Sequence, residues 1–252
     1  MQEVLLAIAL GVVAAAYAAV GQAGGTGYVA VLSLASFAPE AIKTSGLALN
    51  IMVSAVGCFY AYRARLLSWR SCYPFAILGA PFSVVGGAIN LPTHLYSPLL
   101  GALLLVAALL MFRSARGAAR SDATAPANAP FVYALVVGGV IGLLSGVTGV
   151  GGGIYLAPLL LLFHWTATKQ AAAITTVFNL MNSVAALGGV LAVNPVFPTA
   201  LPVWLIVVAI GAFAGASFGL RLASPRALRL LLGTLLLAAA SRMIYSTFFV
   251  AI

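Results

Sequence analysis

Carboxylates are almost missing from this sequence: Glu3, Glu40 and Asp122 are the whole supply in 252 residues. No two of them fall within one apolar run. The acid–base pairs of hydrolytic enzymes and the carboxylate relays of intramembrane proton pumps are therefore not expected. Histidine is as scarce, and His94 and His164 stand alone near the ends of apolar segments, where they read as structural. Cys58 and Cys72 flank one short gap. Two such cysteines make no disulfide framework and no metal-ligand spacing, and they read as small buried hydrophobes. No catalytic residue, metal site or cofactor is expected, and the chain does not read as an enzyme.

Charge of either sign is short. Charged residues make up 6% of the chain and hydrophobic ones 63%, where a soluble domain carries charge on about a quarter of its residues. So few charges do not cover a water-facing surface, and a bilayer is the natural solvent. The 26 glycines and 12 prolines fit, because both are commoner in membrane helices than in soluble ones. A net charge of +9 would suggest nucleic acid as partner of a soluble protein. Here the arginines fill short gaps between apolar runs and read as topology signals instead. The expected partners are the lipid bilayer and a small anion, without nucleic acid; self-association into a homo-oligomer is left open.

Apolar segments cover residues 4–20, 28–38, 44–61, 72–90, 97–112, 131–147, 154–164, 171–192, 202–220 and 227–250. Most are long enough to cross a hydrocarbon core of ~30 Å as helices. The segments 28–38 and 154–164 are short, and each follows a glycine-rich break, Gly24-Gly25-Thr26-Gly27 or Gly149-Val150-Gly151-Gly152-Gly153. The run Val4–Val20 has the apolar character of a signal peptide, but its flank, Gln2-Glu3, lacks positive charge. Residues 1–38 are therefore kept in the mature protein.

The chain repeats itself. A shift of 132 residues carries Thr44 onto Thr176, Asn50 onto Asn182, Gly57 onto Gly189, Gly79 onto Gly211, Gly87 onto Gly219 and Gly101 onto Gly233. Upstream the shift becomes 126, with Gly25 on Gly151 and Gly27 on Gly153. Matching gaps carry opposite charge character. The gap 62–71 holds Arg63, Arg65 and Arg70 and its counterpart holds none, whereas Arg221, Arg226 and Arg229 answer an uncharged gap at 90–98. Such copies belong on opposite sides of the membrane. The expected fold class is an all-α polytopic membrane protein of two inverted repeats, each a glycine-broken helical hairpin followed by three transmembrane helices. Residues 1–112 form the first repeat, 113–130 a cytoplasmic linker, and 131–252 the second repeat. The arginine-rich loops are expected on the cytoplasmic side of an inner membrane.

The breaks carry the strongest functional signal. Non-helical backbone at membrane depth is tolerated where protein or a watery cavity satisfies it. The helix that follows presents free N–H groups and partial positive charge, which suit an anion. Candidate substrate-binding residues are Gly24, Gly25, Thr26 and Gly27 in the first break, and Thr148, Gly149, Gly151, Gly152 and Gly153 in the second. Glycines inside continuous helices (Gly79, Gly87, Gly211 and Gly219) read as packing positions. Thr44, Ser45 and Asn50, with Thr175, Thr176, Asn179 and Asn182, offer neutral donors to an oxyanion or hydrogen bonds between helices. Lys43 and Lys169 precede these sets, to attract an anion or to snorkel at the interface. Arg242 lies inside the last apolar run, where an intramembrane charge is a functional candidate and snorkelling is the alternative.

The run Gly146-Val147-Thr148-Gly149-Val150-Gly151-Gly152-Gly153, followed by Pro158, alanine-rich sequence and Thr175-Thr176, resembles the sulfite exporter TauE/SafE family. The stretch from Gly21 to Gly27, with Pro39, Thr44-Ser45 and Asn50, resembles the same motif in repeat form, although its glycine run is less full. The resemblance covers nearly the whole chain. It implies a membrane permease for sulfite, an organosulfonate or a related small anion, either a secondary carrier or facilitator, or an anion channel of the same architecture.

Overall fold

The computed structural model describes residues 2–116, 129–193, 195–222 and 224–249. Among them are ten helices and no strand: α1 (Gln2–Ala19), α2 (Gly25–Leu34), α3 (Pro39–Arg63), α4 (Trp69–Ala88), α5 (Thr93–Arg116), α6 (Phe131–Thr148), α7 (Gly153–Leu162), α8 (Thr168–Leu191), α9 (Leu201–Leu222) and α10 (Pro225–Phe249). Each expected apolar segment lies on one helix, because apolar surroundings oblige the backbone to bond within its own segment. Seven helices (α3, α4, α5, α6, α8, α9 and α10) are long and apolar enough to cross a membrane, while α1, α2 and α7 are shorter apolar helices. Helix α5 runs on to Arg116, inside the stretch expected as linker. Residues 117–128 of that linker, with Arg120 and Asp122, lie outside the described residues.

The helix ends follow local chemistry. Ser36 and His164 both take left-handed backbone (φ 63° and 54°) just after α2 and α7. The next residue's N–H then returns to the helix, Phe37 to Leu32 O at 3.2 Å and Trp165 to Leu160 O at 2.9 Å. These are paired Schellman ends. They set the register of the hairpins at 128 residues, which also carries the N-cap Gly24 onto the N-cap Gly152. The shift of 126 expected from the glycines alone is thereby corrected. The additional residues of the second copy lie mainly in the first turn of α8.

Small residues set the helix contacts. Along α4 and α6, Phe75 meets Gly138, Gly79 meets Gly142, and Ser83 meets Gly146, so these helices run parallel in backbone contact. Gly11 meets Gly211 and Ala15 meets Gly215, giving α1 and α9 the same relation. This close approach is what small residues allow where lipid gives no hydrophobic drive to association. The Ser83 hydroxyl ties one seam by donating to Gly142 O at 2.9 Å. The packing readings of Gly79, Gly87 and Gly211 hold, since each has another helix's backbone or side chain against it.

Two further pairs run the other way. On α3 and α8, Asn50 meets Ser183 and Gly57 meets the Thr176 methyl, so the numbers rise on one helix as they fall on the other. On α5 and α10, Gly101 lies against Met243, Phe112 against Gly233, and Ala115 against Arg226. Two of the three helix pairs that correspond under the shift of 132, α3 with α8 and α5 with α10, are therefore antiparallel neighbours. Asn50 and Asn179 sit at the middle of α3 and α8.

Candidate functional site

Both helix pairs that follow the repeat are interrupted, for different physical reasons. In the second break, the C-cap of α6 is Gly149 (φ 80°), whose N–H donates to Ser145 O at 2.8 Å, and the N-cap of α7 is Gly152 (φ 80°). A β-carbon at either position would cost ~1–2 kcal/mol in left-handed backbone. In the first break, the N-cap Gly24 has an ordinary φ of −82°. There the need is space, because a β-carbon on Gly25 would overlap the carbonyl oxygen of Val150. The second run of glycines makes its own turn; the first break turns at Gly21 (φ 72°), ahead of its run, and the run itself lets the other break come up against it. That difference accounts for the thinner glycine run of the first loop.

The two breaks meet at Asn50. A β-carbon on Gly25 would stand 3.1 Å from Asn50 Oδ1, and Gly151 lies directly against the Asn50 amide nitrogen. Asn50 is fully buried; its Nδ2 donates to Ser183 Oγ at 2.6 Å, and its Oδ1 has no partner. The Gly153 N–H donates to Asn179 Oδ1 at 2.8 Å, which holds the first turn of α7 against α8. Asn182, one turn further along α8, is fully buried with its amide beside Gly79 of α4 and neither amide atom partnered. Ser145 Oγ also lacks a partner, and its Cβ lies 3.4 Å from where a Gly152 side chain would start. The N-termini of α2 and α7 thus converge at mid-helix depth beside unpaired amide and hydroxyl groups. First-turn N–H groups have no acceptor within their own helix and carry the positive end of its dipole.

The remaining candidates are placed differently. Thr44 donates to Glu40 O, Thr148 to Leu144 O at 2.7 Å, and Thr175 and Thr176 both to Ala172 O at 3.0 and 2.7 Å. A hydroxyl whose one proton serves its own helix offers no donor to an anion. Thr26 pairs with the Tyr17 hydroxyl at 2.7 Å, bracing the first break from α1. Ser45 is buried with no partner for its oxygen.

Lys43 is buried, but its ammonium donates to Gly87 O at 2.6 Å, Ile89 O at 2.7 Å and Gly86 O at 3.3 Å. It closes the C-terminal end of α4, where cations suit the dipole, and is not open to an anion. Lys169 is exposed near the start of α8, about 15 Å along the helix from Asn179. Under the shift of 132, Lys43 corresponds to Thr175, so the lysines are not equivalent.

Arg242 serves like Lys43. Its Nη1 donates to Ser33 O at 2.7 Å and to Leu34 O, and its Nη2 to Ser36 Oγ at 2.6 Å, which caps α2. Arg226 and Arg229 donate to Ala115 O at 3.1 Å and Ser114 O at 3.0 Å, at the end of α5. These cations therefore serve helix C-termini, and the centre is lined by neutral groups. Two contributors had no sequence signal. Ser183 corresponds to Ile51, so the repeat did not mark it. Tyr96, from α5, donates its hydroxyl to Thr148 O at 3.0 Å, beside the second break.

Comparison with known proteins agrees with this architecture. The model of the family described as "Sulfite exporter TauE/SafE" matches residues 5–243. A probable membrane transporter protein of Sinorhizobium fredii (strain NBRC 101917 / NGR234), y4hK, is 48% identical over 240 residues, covering 95% of this chain and 97% of the relative. No solved structure matches the chain.

Proposed function

Because the chain belongs to the sulfite exporter TauE/SafE family, a membrane transporter and not an enzyme, we propose that it is a secondary carrier or facilitator for a small anion: sulfite, an organosulfonate or a related sulfur oxyanion. The observation that carries this reading is the meeting of two ten-residue helix N-termini, Gly25 of α2 and Gly153 of α7, at Asn50 and Asn179. Half-helix N-termini pointing at a midplane substrate are a recurrent device for anions in carriers built from repeats. In this reading the anion is held by the first-turn N–H groups of both half-helices and by Asn50, Asn179, Asn182 and Ser183.

The repeats are inverted, related by an axis in the membrane plane that passes between Asn50 and Ser183. The antiparallel packing of α3 on α8 and of α5 on α10 supports this, since an axis along the membrane normal would leave corresponding helices parallel. Access then alternates as one bundle moves against the other around the breaks. Arg113 and Arg116 at the end of α5 and Arg226 and Arg229 at the start of α10 share one end of the bundle. By the positive-inside rule that end is cytoplasmic, in the inner membrane of a bacterial-type cell.

The test is uptake of labelled sulfite and a small sulfonate into proteoliposomes, comparing the native chain with Gly152→Leu. Saturable uptake by the native chain, lost in a variant that remains folded, is the expected outcome. Absence of uptake of every sulfur oxyanion by folded native protein would overturn the substrate class. Single-channel currents in place of saturable uptake would convert the carrier into a channel.

A further inference from the structure

We propose that the central site selects a singly charged oxyanion and rejects the doubly charged form of the same molecule. This inference rests on the anion-carrier reading above and specifies the charge of its substrate.

The positive charge at the centre can be counted. Helices α2 and α7 direct their N-termini at it, and both have ten residues. A helix N-terminus carries the equivalent of about half an elementary charge. Two of them balance at most about one negative charge, since the C-termini of α1 and α6 end at the same breaks with the opposite sign, and leave nothing for a second.

No side-chain cation makes up the difference. Lys43 is the buried cation of the described residues, and its three donors are taken by the α4 carbonyls at Gly86, Gly87 and Ile89. Its charge is set against the negative end of α4 and against Glu40, one turn away on α3. Arg226, Arg229 and Arg242 donate to the C-terminal ends of α5 and α2.

A ligand is called for by the side chains themselves. Asn50 Oδ1, both amide atoms of Asn182, and Ser145 Oγ are buried without partners. Asn50 stands between Gly25 and Gly151, with its amide turned onto both breaks. The Ser183 hydroxyl that it meets accepts or donates equally well, so the amide can turn over without losing that bond and present Nδ2 to the first break at Gly25 in place of Oδ1. These groups are neutral and exchange no proton at ordinary pH. They solvate a charge by hydrogen bonding and add none of their own. A second negative charge would sit in a water-poor interior without compensation, which proteins tolerate poorly.

The experiment uses the full chain in proteoliposomes and three labelled probes. Sulfate is doubly charged throughout the neutral range, a small alkanesulfonate singly charged, and sulfite passes from one form to the other near neutrality. The expected result is sulfonate uptake that is level with pH and sulfate uptake at background. At fixed total sulfite, the rate falls about tenfold per pH unit once the doubly charged form dominates. With total sulfite raised to keep the singly charged form constant, the rate stays level. Sulfate uptake comparable with that of sulfonate, or a sulfite rate that follows the doubly charged form, would overturn the selectivity while leaving the anion carrier intact. Uptake of none of the three by folded protein would remove the carrier reading, and this inference with it.

Discussion

The Gly153 N–H donates to Asn179 Oδ1 at 2.8 Å, so the first turn of α7 is fastened to the middle of the helix that follows it. Asn179→Asp keeps an acceptor for that N–H and places a carboxylate at a helix N-terminus, which the dipole favours. The variant is expected to fold. At neutral pH its negative charge competes with an anion for the same donors, and sulfonate uptake should fall at least about tenfold. As pH falls through the pKa of the introduced carboxyl, the side chain becomes neutral and uptake should return, whereas the native chain shows no such recovery. Native-like uptake by the variant at neutral pH would mean that the anion does not use the α7 N-terminus.

Asn182 yields a different signature. Its two amide atoms are buried and unpartnered, and such groups cost about 1–3 kcal/mol relative to an apolar side chain of similar shape. Asn182→Leu should therefore melt at or above the native temperature in detergent while uptake is lost. Stability gained with function lost marks a residue kept for its ligand. A clear loss of thermal stability would show that Asn182 is structural instead.

Helix existence was legible because lipid-facing helices are apolar all round, so every expected segment coincides with one helix from α1 to α10. The second break was legible because Gly149, Gly151 and Gly152 adopt positive φ that other residues resist, and the first because Gly25 must leave room for Val150 O. The use made of side-chain protons was not. Thr44, Thr175 and Thr176 look like free donors in the sequence, yet each serves a carbonyl of its own helix. Lys43 looked like an anion site because nothing local reveals that its ammonium reaches the end of α4, more than forty residues along the chain. Ser183 was invisible for the converse reason, since only the antiparallel packing of α3 on α8 brings it to Asn50.

Glycines in this chain should differ sharply in tolerance. A β-carbon on Gly25 would overlap Val150 O, whereas one on Gly188 would meet nothing within 4 Å. Gly188→Ala should be neutral or stabilise by up to about 1 kcal/mol through helix propensity. Gly25→Ala must push the two breaks apart. It should cost about 1–3 kcal/mol and most of the uptake. Paired thermal melts and uptake rates of the two variants check this; equal tolerance would contradict the close approach of the breaks.

Lys43 separates capping from binding. Lys43→Met leaves the carbonyls of Gly86, Gly87 and Ile89 without the donor they share. With those bonds lost in the interior, the expected cost is about 2–4 kcal/mol, read as a lower melting temperature. Lys43→Gln restores donors on a shorter side chain and should recover part of that stability. In whatever fraction of either variant stays folded, the substrate concentration for half-maximal uptake should remain native, because the ammonium faces the α4 end and not the breaks. If Lys43→Gln kept native stability and raised that concentration about tenfold, a lost charge contact of about 1.4 kcal/mol would be the cause. Lys43 would then belong to the anion path, and the charge balance at the centre would have to include it.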